Sequence, residues 1–353
     1  MTNKTGIPET WERIFSAANK IWKMKPWNFM SETDIFGIKI PGTKRVYFIS
    51  VMGSGGEVTA VTAYSGTRAL GMFWDLHQTA EDNLTSNFLT GGRVLTIPQL
   101  MLDFAEEKTL TTKEITRMKK LGARPVENKR WPSLKQFIPG FYPYEPDGNG
   151  LDDAAIIFEQ CLEIFRYTSE DEDYIHPDED NDDLYLIRET KAGSAGEWKN
   201  GFKEVIIEPV EYKSMFSITD LDQLAGYPVK PSILQIDLVM LPTPVKEGKN
   251  KPYFPFILLA VDKKTGLVVA FETLPPLPDI DTMYESIPQI FLRMLLKQNN
   301  RPYHIEFRSD ILTTLLSELI AKVGIILSKP GKMKTMDEAI ESLLKHMGRG
   351  GDR

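Results

Sequence analysis

One carboxylate lies inside an apolar stretch in the second half of the chain. The segment 234–241, LQIDLVML, places Asp237 between an isoleucine and a leucine. An aspartate there is either a ligand of a hard divalent metal ion, which prefers oxygen donors, or an ordinary polar residue at a strand edge, satisfied by backbone or solvent. The residue type leaves both interpretations open.

A second concentration of carboxylates is the run at 169–183, SEDEDYIHPDEDNDD, which has nine acidic residues and no lysine or arginine. A calcium loop would need the D-x-[DN]-x-[DN]-G spacing closed by a glutamate, which the run lacks. We therefore interpret it as a solvated loop. The net charge of −7 becomes about +2 without these nine acids, so the rest of the chain gives no strong electrostatic argument for nucleic acid or a membrane.

Residues for covalent or zinc chemistry are few. The single cysteine, Cys161, lies on the apolar face of a predicted helix, which favours a buried inert thiol in a reducing compartment. The four histidines lack ligand-like spacing. The glycine-rich stretch 53–56 joins two predicted strands and is not followed by Lys-Ser/Thr, so it predicts a hairpin turn and not a phosphate loop. With no 18-residue apolar stretch and no secretory signal, we expect a cytoplasmic protein without a membrane partner.

The segment 131–146, WPSLKQFIPGFYPYEP, combines aromatic residues with four prolines and is predicted to be extended. Phe141, Tyr142 and Tyr144 would form either an aromatic binding surface for a base or peptide, or a strap packed over the N-terminal core. We favour the strap, because large aromatic residues are mostly buried. The binding hypothesis predicts that Phe141 and Tyr142 are exposed beside lysines such as Lys129 and Lys135.

The elements of the N-terminal half have a mixed pattern. Helical spacing of apolar residues predicts helices over 9–25, 67–80 and 151–167, and two β-rich runs predict a hairpin within 45–64. A chain of 353 residues is longer than one typical hydrophobic core, so we expect two domains. The predicted organisation is an N-terminal α+β domain over 1–168, an acidic and Gly/Ser-containing linker or loop over 169–203, and a second domain over 204–353.

The second half has a regular order of elements. Strands are predicted over 233–241, 254–262 and 267–274, followed by a helix over 282–298, a strand over 303–310, a helix over 311–323, a strand over 324–328 and a helix over 335–347. The first three strands form an antiparallel meander. Their nearly continuous apolar character predicts burial on both faces.

This α/β order, a three-stranded antiparallel meander followed by helix-strand-helix-strand-helix, resembles the ribonuclease H and retroviral integrase fold. AVDKKTGLVVAFETL is similar to the hairpin of the second and third strands of integrase cores, and RPYHIEFRSD…LIAKVGIIL resembles their fourth-strand region and following helix. The resemblance implies two Mg²⁺ or Mn²⁺ ions held by a first-strand Asp, an Asp ending the fourth strand and an acid on the last helix. The matching residues are Asp237, Asp310 and Glu338, with Glu341 one turn further on.

The pattern also departs from integrase cores, which usually have an Asn-Gly turn where this chain has Ile311 and Leu312. Asp310 would serve equally well as a helix N-cap, and Glu338 as a solvated residue of an amphipathic helix. In addition, VYFISVMGSGGEVTAVTAYSGTRAL and WPSLKQFIPGFYPY resemble a family of bacterial proteins known as domains of unknown function, which implies no particular activity.

Two functions follow from the sequence. The first is a non-catalytic binding or scaffold module on a decayed ribonuclease-H-like fold, with no cofactor and with a protein or a nucleic acid as partner. The alternative is a divalent-metal-dependent nuclease or phosphoryl-transfer enzyme that uses Asp237, Asp310 and Glu338 with Mg²⁺ or Mn²⁺. The position of the three carboxyl groups distinguishes them, because two-metal chemistry requires the groups to converge.

Overall fold

A computed structural model describes residues 8–55, 58–82, 95–176, 181, 183–191, 196–207, 210–248 and 251–348. The chain divides into two compact units, each of mixed α/β architecture with its own sheet. The first unit comprises Met1–Ile138 and Pro143–Pro209, and the second comprises Pro139–Tyr142 and Val210–Arg353.

A seven-stranded mixed sheet forms the centre of the first unit, in the order β5-β4-β3-β2-β1-β6-β7. The strands are β1 (Phe36–Lys39), β2 (Val46–Met52), β3 (Ala60–Ser65), β4 (Gln99–Glu106), β5 (Arg130–Phe137), β6 (Leu184–Thr190) and β7 (Trp198–Glu204). Neighbouring strands are antiparallel except β1 and β6, which are parallel. The hairpin expected within 45–64 corresponds to β2 and β3, and Gly53 in its turn has φ +141°, a conformation that favours glycine. Gly56 lies outside the described residues.

Helices cover both faces of this sheet. They are α1 (Glu9–Met24), α2 (Gly66–Asp82), α3 (Thr112–Lys120) and α4 (Gly148–Glu170). Side chains alternate along β2, so that Tyr47 and Ile49 join the core beneath α1 and α4, whereas Phe48 joins the core of α2 with Leu70 and Phe73. The apolar residues whose helical spacing predicted the first helix are those that α1 buries, among them Trp11, Ile14 and Ile21.

The segment 169–203 differs from the predicted linker. Its second half contains β6 and most of β7, and β6 pairs in parallel with β1. The prediction missed β7 because it is an edge strand with mainly polar, exposed residues, which lacks the apolar pattern of a buried strand. It missed β6 because the short apolar run of this buried strand lies between the acidic and the Gly/Ser-containing stretches. Residues 177–180 and 182 of the acidic run and 192–195 of the Gly/Ser stretch lie outside the described residues.

A five-stranded mixed sheet forms the centre of the second unit, in the order β10-β9-β8-β11-β12. The strands are β8 (Val229–Met240), β9 (Phe256–Asp262), β10 (Val268–Leu274), β11 (Arg301–Glu306) and β12 (Ile326–Ser328). The first three along the chain pair antiparallel, β8 with β9 and β9 with β10. Strand β11 lies parallel to both β8 and β12.

The two faces of this sheet carry different helices. The helices are α5 (Ile218–Ala225), α6 (Ile280–Leu296), α7 (Asp310–Lys322) and α8 (Lys334–Gly348). Ile236 and Leu258 face α5, α6 and α7, whereas Ile257 and Leu259 face α8, where Met336 is fully buried. In the part of the chain that the structure describes, no helix combines the length and the apolar character that crossing a bilayer requires.

The expectation of burial on both faces holds for β9 but not for β10. Val268 and Phe271 of β10 are exposed, because β10 is an edge strand and α8 packs over β8 and β9. The fourth predicted strand, 303–310, is also shorter than expected. It ends at Glu306, and Asp310 is the first residue of α7.

Candidate functional site

Asp237 is buried against an arginine. One carboxylate oxygen, Oδ2, accepts hydrogen bonds from Nε and Nη2 of Arg308 at 3.0 and 2.8 Å, and the other, Oδ1, accepts one from the Leu238 N–H at 2.9 Å. Only 9% of the Asp237 side chain is exposed, against 29% for Arg308. Both oxygens of this carboxylate are therefore already used by partners within the chain.

The sheet brings these two residues together across 71 positions of sequence. On β8, Gln235 and Asp237 lie on the face towards α8, because Ile236 between them faces the opposite core. Glu306 of β11 is level with Gln235 in the parallel register. Arg308 follows Glu306 by two residues and so reaches Asp237 on the same face.

Arg308 also connects the sheet to α8. Its Nη1 atom donates to Oδ1 of Asp337 at 2.6 Å. The guanidinium thus lies between a buried strand aspartate and an aspartate in the first turn of the last helix. A planar group with several N–H donors suits this position, because it donates to two carboxylates at once.

A second group of polar side chains lies beside the first. Glu306 accepts hydrogen bonds from Nζ of Lys263 at 2.6 Å and from Nε2 of Gln235 at 2.9 Å. The Gln235 side-chain oxygen in turn accepts the backbone N–H of Met336 at 3.0 Å. Thr335 donates to the carbonyl of Lys263 at 3.3 Å. The two hydrogen bonds of Gln235 are buried and attach the start of α8 to β8 and β8 to β11, whereas the bond of Thr335 attaches α8 at the surface to the residue that follows β9.

The pKa shifts follow from burial and from these partners. Burial raises the pKa of the Asp237 carboxyl, and the Arg308 guanidinium and the Leu238 N–H oppose that rise. Burial also lowers the Arg308 pKa, but the charges of Asp237 and Asp337 outweigh it and the net shift is upward. For Glu306, burial alone would raise the pKa, but hydrogen bonds from Gln235 and Lys263 dominate and the pKa falls below its ordinary value.

The structure does not gather the acids that the sequence singled out. Asp310 has 89% of its side chain exposed and pairs with Lys329. Glu338 pairs with Lys334 at 3.8 Å and Glu341 with Lys345 at 2.6 Å, and about two thirds of each glutamate side chain is exposed. Among the described residues, no three His, Cys, Asp or Glu side chains are arranged to hold a metal ion. Of the predicted residues, only Asp237 lies in the buried polar site.

The aromatic residues of 131–146 are divided between several environments. Residues 130–137 form β5, so the first half of the predicted strap is a strand of the first sheet. Phe141 is half-buried and its backbone pairs with Tyr253, whereas Tyr142 is 50% exposed with its ring centroid 5.9 Å from that of Phe254. Tyr144 is half-buried and its backbone pairs with Gln136.

Sequence patterns missed Arg308, Glu306, Asp337, Gln235 and Lys263. One available signal was the alternation in YHIEFRSD, where Glu306 and Arg308 share a face because Ile305 and Phe307 are buried. That alternation marks Glu306, and not Asp310, as the acid at the end of the fourth strand. The choice of Asp337 over Glu338 has no comparable signal, since both are acids on the exposed side of α8 in the sequence pattern.

Two family models match parts of the chain. The chain belongs to the family described as Domain of unknown function (DUF7309), whose model matches residues 11–188, about half of the chain. A second family model, Domain of unknown function (DUF6930), matches residues 220–344. No curated protein matches the chain. Among solved structures, the catalytic core domain of BIV integrase matches with 16% sequence identity and a TM-score of 0.26, over 34% of this chain and 72% of that one.

Proposed function

We propose that the second unit is a ribonuclease-H-like domain without metal-dependent catalysis, and that the protein acts as a non-catalytic binding or scaffold module. The fold assignment rests on the strand order β10-β9-β8-β11-β12, with three antiparallel strands followed by two parallel ones, and on the resemblance of the sequence to integrase cores. The functional part rests on Arg308.

The position of the Arg308 guanidinium carries the proposal. In the catalytic members of that superfamily, acids on the first strand, the fourth strand and the last helix hold divalent ions. The corresponding elements here present Asp237, Glu306 and Asp337, and each carboxylate is paired with a cation of the chain, Arg308 or Lys263. Hard metal ions need free carboxylate oxygens, and two ions must lie roughly 3.5–4 Å apart for in-line chemistry. The Arg308 guanidinium occupies Oδ2 of Asp237 and Oδ1 of Asp337, and its positive charge repels a divalent ion.

The internal cations give this site a structural role. The Arg308 guanidinium keeps α8 attached to the sheet without any bound ion, and the Lys263 ammonium neutralises Glu306 within the sheet. Buried ion pairs of this kind fix geometry, because breaking one leaves an uncompensated charge. A domain held together without a metal in this way is compatible with a binding or scaffold function, although the fold alone implies neither.

A calorimetric titration with MnCl₂ tests the proposal on the full chain. We expect no saturable binding at millimolar Mn²⁺ for the native protein, and the same flat titration for Asp237→Asn. Saturable binding that Asp237→Asn abolishes and that Asp310→Asn leaves intact would overturn the proposal, and would indicate a metal centre at Asp237. Saturable binding lost in both variants would favour the alternative nuclease triad of Asp237, Asp310 and Glu338 and would equally overturn it.

A further inference from the structure

The first unit has a cleft beside β5, one of the two edge strands of its sheet. Its volume is about 310 Å³, at the lower end of the range for ligand sites. Trp11 and Phe15 of α1, stacked with ring centroids 5.4 Å apart, form one wall, and Met118 of α3 lies on another. The residues Pro132–Lys135 of β5 also line it.

Strand β5 has a backbone edge that is only partly paired, and its unpaired part borders this cleft. It pairs with β4 on one side only. On the other side, Arg130 accepts the N–H of Val126 and Gln136 exchanges two hydrogen bonds with Tyr144, at 2.7 and 3.2 Å. The peptide groups of alternate strand residues point to the same edge, so Leu134, two residues before Gln136, directs its N–H and C=O outward as well.

Both backbone groups of Leu134 lack a hydrogen-bond partner in the described part of the chain. Leu134 is buried, with only 4% of the whole residue exposed. A backbone donor and acceptor in a sheltered position are normally paired with protein or ordered water, because leaving them unpaired is costly. At Leu134 the cleft therefore offers one donor and one acceptor that a short additional strand, lying between the paired positions Arg130 and Gln136, would satisfy.

The charged residues around the cleft indicate which charge a bound segment should carry. Among the lining cations, Arg117 is already paired with Glu145 at 2.9 Å. Lys113 and Lys135 form no ion pair within 4 Å in the described part of the chain, although the charge of Lys135 acts to lower the pKa of Asp103 and of Glu114, which also lines the cleft. Acidic residues flanking an apolar centre would complement these two lysines, while the apolar side chains contact Trp11 and Phe15.

We propose that this cleft binds an extended segment of a partner protein, apolar in its centre and acidic at its ends, which adds as a strand to β5. Strand addition supplies affinity through main-chain hydrogen bonds and specificity through pockets for alternate side chains. This proposal specifies the kind of partner for the binding role proposed above, and it rests on that role. Because the cleft lies in the first unit and the Mn²⁺ titration tests the second, either experiment can give a negative result without affecting the other.

The test uses the full chain labelled with ¹⁵N-leucine and the blocked peptide acetyl-Asp-Thr-Val-Thr-Val-Thr-Asp-amide. We expect the Leu134 amide resonance, assigned with Leu134→Val, to shift saturably and its hydrogen exchange to slow when the peptide binds. Two N-methylated peptides, each modified at one set of alternate residues, serve as probes of strand geometry. Only the set whose N–H groups face β5 loses affinity, by about tenfold, because alternate groups point away.

Charge variants complete the test. Lys113→Glu, in the cleft, weakens binding about fivefold, whereas Lys120→Glu, exposed on the same helix but outside the cleft, leaves it unchanged. Peptides with lysine or serine in place of the terminal aspartates bind more weakly than the acidic one. The proposal is overturned if none of these peptides shifts the Leu134 amide at millimolar concentration, or if the two N-methylated sets bind equally.

Discussion

Asp237 and Asp337 are joined by the guanidinium of Arg308, which donates two hydrogen bonds to the first and one to the second. One aspartate belongs to the buried strand β8 and the other to the last helix. The Arg308 side chain therefore bridges the two carboxylates as a bound cation would, although it is part of the chain itself.

The stability of the second unit depends on the ion pair between Asp237 and Arg308. Arg308→Met leaves Asp237 buried without its cation, and we expect a loss of about 3 kcal/mol in the free energy of unfolding at pH 7. Asp237→Asn combined with Arg308→Met removes both charges and costs less than the sum of the two single changes. Urea unfolding of the four proteins measures this coupling. Additive losses would contradict a direct interaction.

The Gln235 side chain is a second link between the sheet and α8. Gln235→Met keeps the volume but removes the donor to Glu306 and the acceptor for the Met336 N–H, so it leaves two buried polar groups with one partner fewer. We expect about 2 kcal/mol of destabilisation. Gln289→Met, which removes a half-buried glutamine of α6 that bonds Asp220 and the Ser217 N–H, provides a matched comparison and costs less because its site is nearer to solvent. Equal losses in urea unfolding would contradict the special role of Gln235.

Asp103 of β4 makes stability depend on pH. Burial raises the pKa of its carboxyl to about 6, against the opposing effects of Lys135 and Ser133, and its Oδ1 atom has no hydrogen-bond partner among the described residues. Because the folded pKa exceeds the unfolded one, the folded state binds the proton more tightly. The contribution is therefore present below about pH 4 and lost as pH rises through about 6.

The variant Asp103→Asn isolates that contribution. At pH 7.5 we expect it to be more stable than the native protein by about 2 kcal/mol, and at pH 4 the two should differ little. Thermal or urea unfolding at both pH values measures the difference, with the exposed Asp310→Asn as control. A native protein that gains stability relative to Asp103→Asn with rising pH would contradict the assignment.

The single cysteine is predicted to be inert in the folded protein. Cys161 is fully buried in α4, and burial raises the pKa of its thiol well above the ordinary value. We expect negligible reaction with an aromatic disulfide reagent in native buffer and complete reaction in denaturant. Rapid modification without loss of structure would show that α4 opens locally.

Much of the fold of the second unit was predictable, because its helices and strands are compact apolar runs separated by polar turns. The strand expected over 233–241 is Val229–Met240, and the last helix expected over 335–347 is Lys334–Gly348. The strands β6 and β7 of the first unit were not predicted. The edge strand β7 is mostly exposed and carries no apolar alternation, and the short apolar run of the buried β6 lies between the acidic and the Gly/Ser-containing stretches. The place of these strands in the sheet depends on pairing with β1, about 150 residues earlier.

The site was predictable only in part. An isolated acid in an apolar strand pointed to Asp237, but its partner is set by the parallel register of β8 and β11, which no local pattern encodes. Asp337 and Glu338 are consecutive residues, so their side chains leave the helix in directions about 100° apart. Packing of Met336 on the sheet decides it, because that contact turns Asp337 towards Arg308.

The measurement that tests the role of Arg308 most directly is the effect of Mn²⁺ on the melting temperature of Arg308→Ala and of the native protein. Removing the guanidinium frees Asp237 and Asp337, so we expect millimolar Mn²⁺ to stabilise the variant, as ligand binding to the folded state does. The native protein and the double variant Asp237→Asn/Arg308→Ala should show no such increase. Stabilisation of the native protein that disappears with Asp237→Asn, or none in Arg308→Ala, would contradict the proposal that Arg308 takes the place of a metal ion.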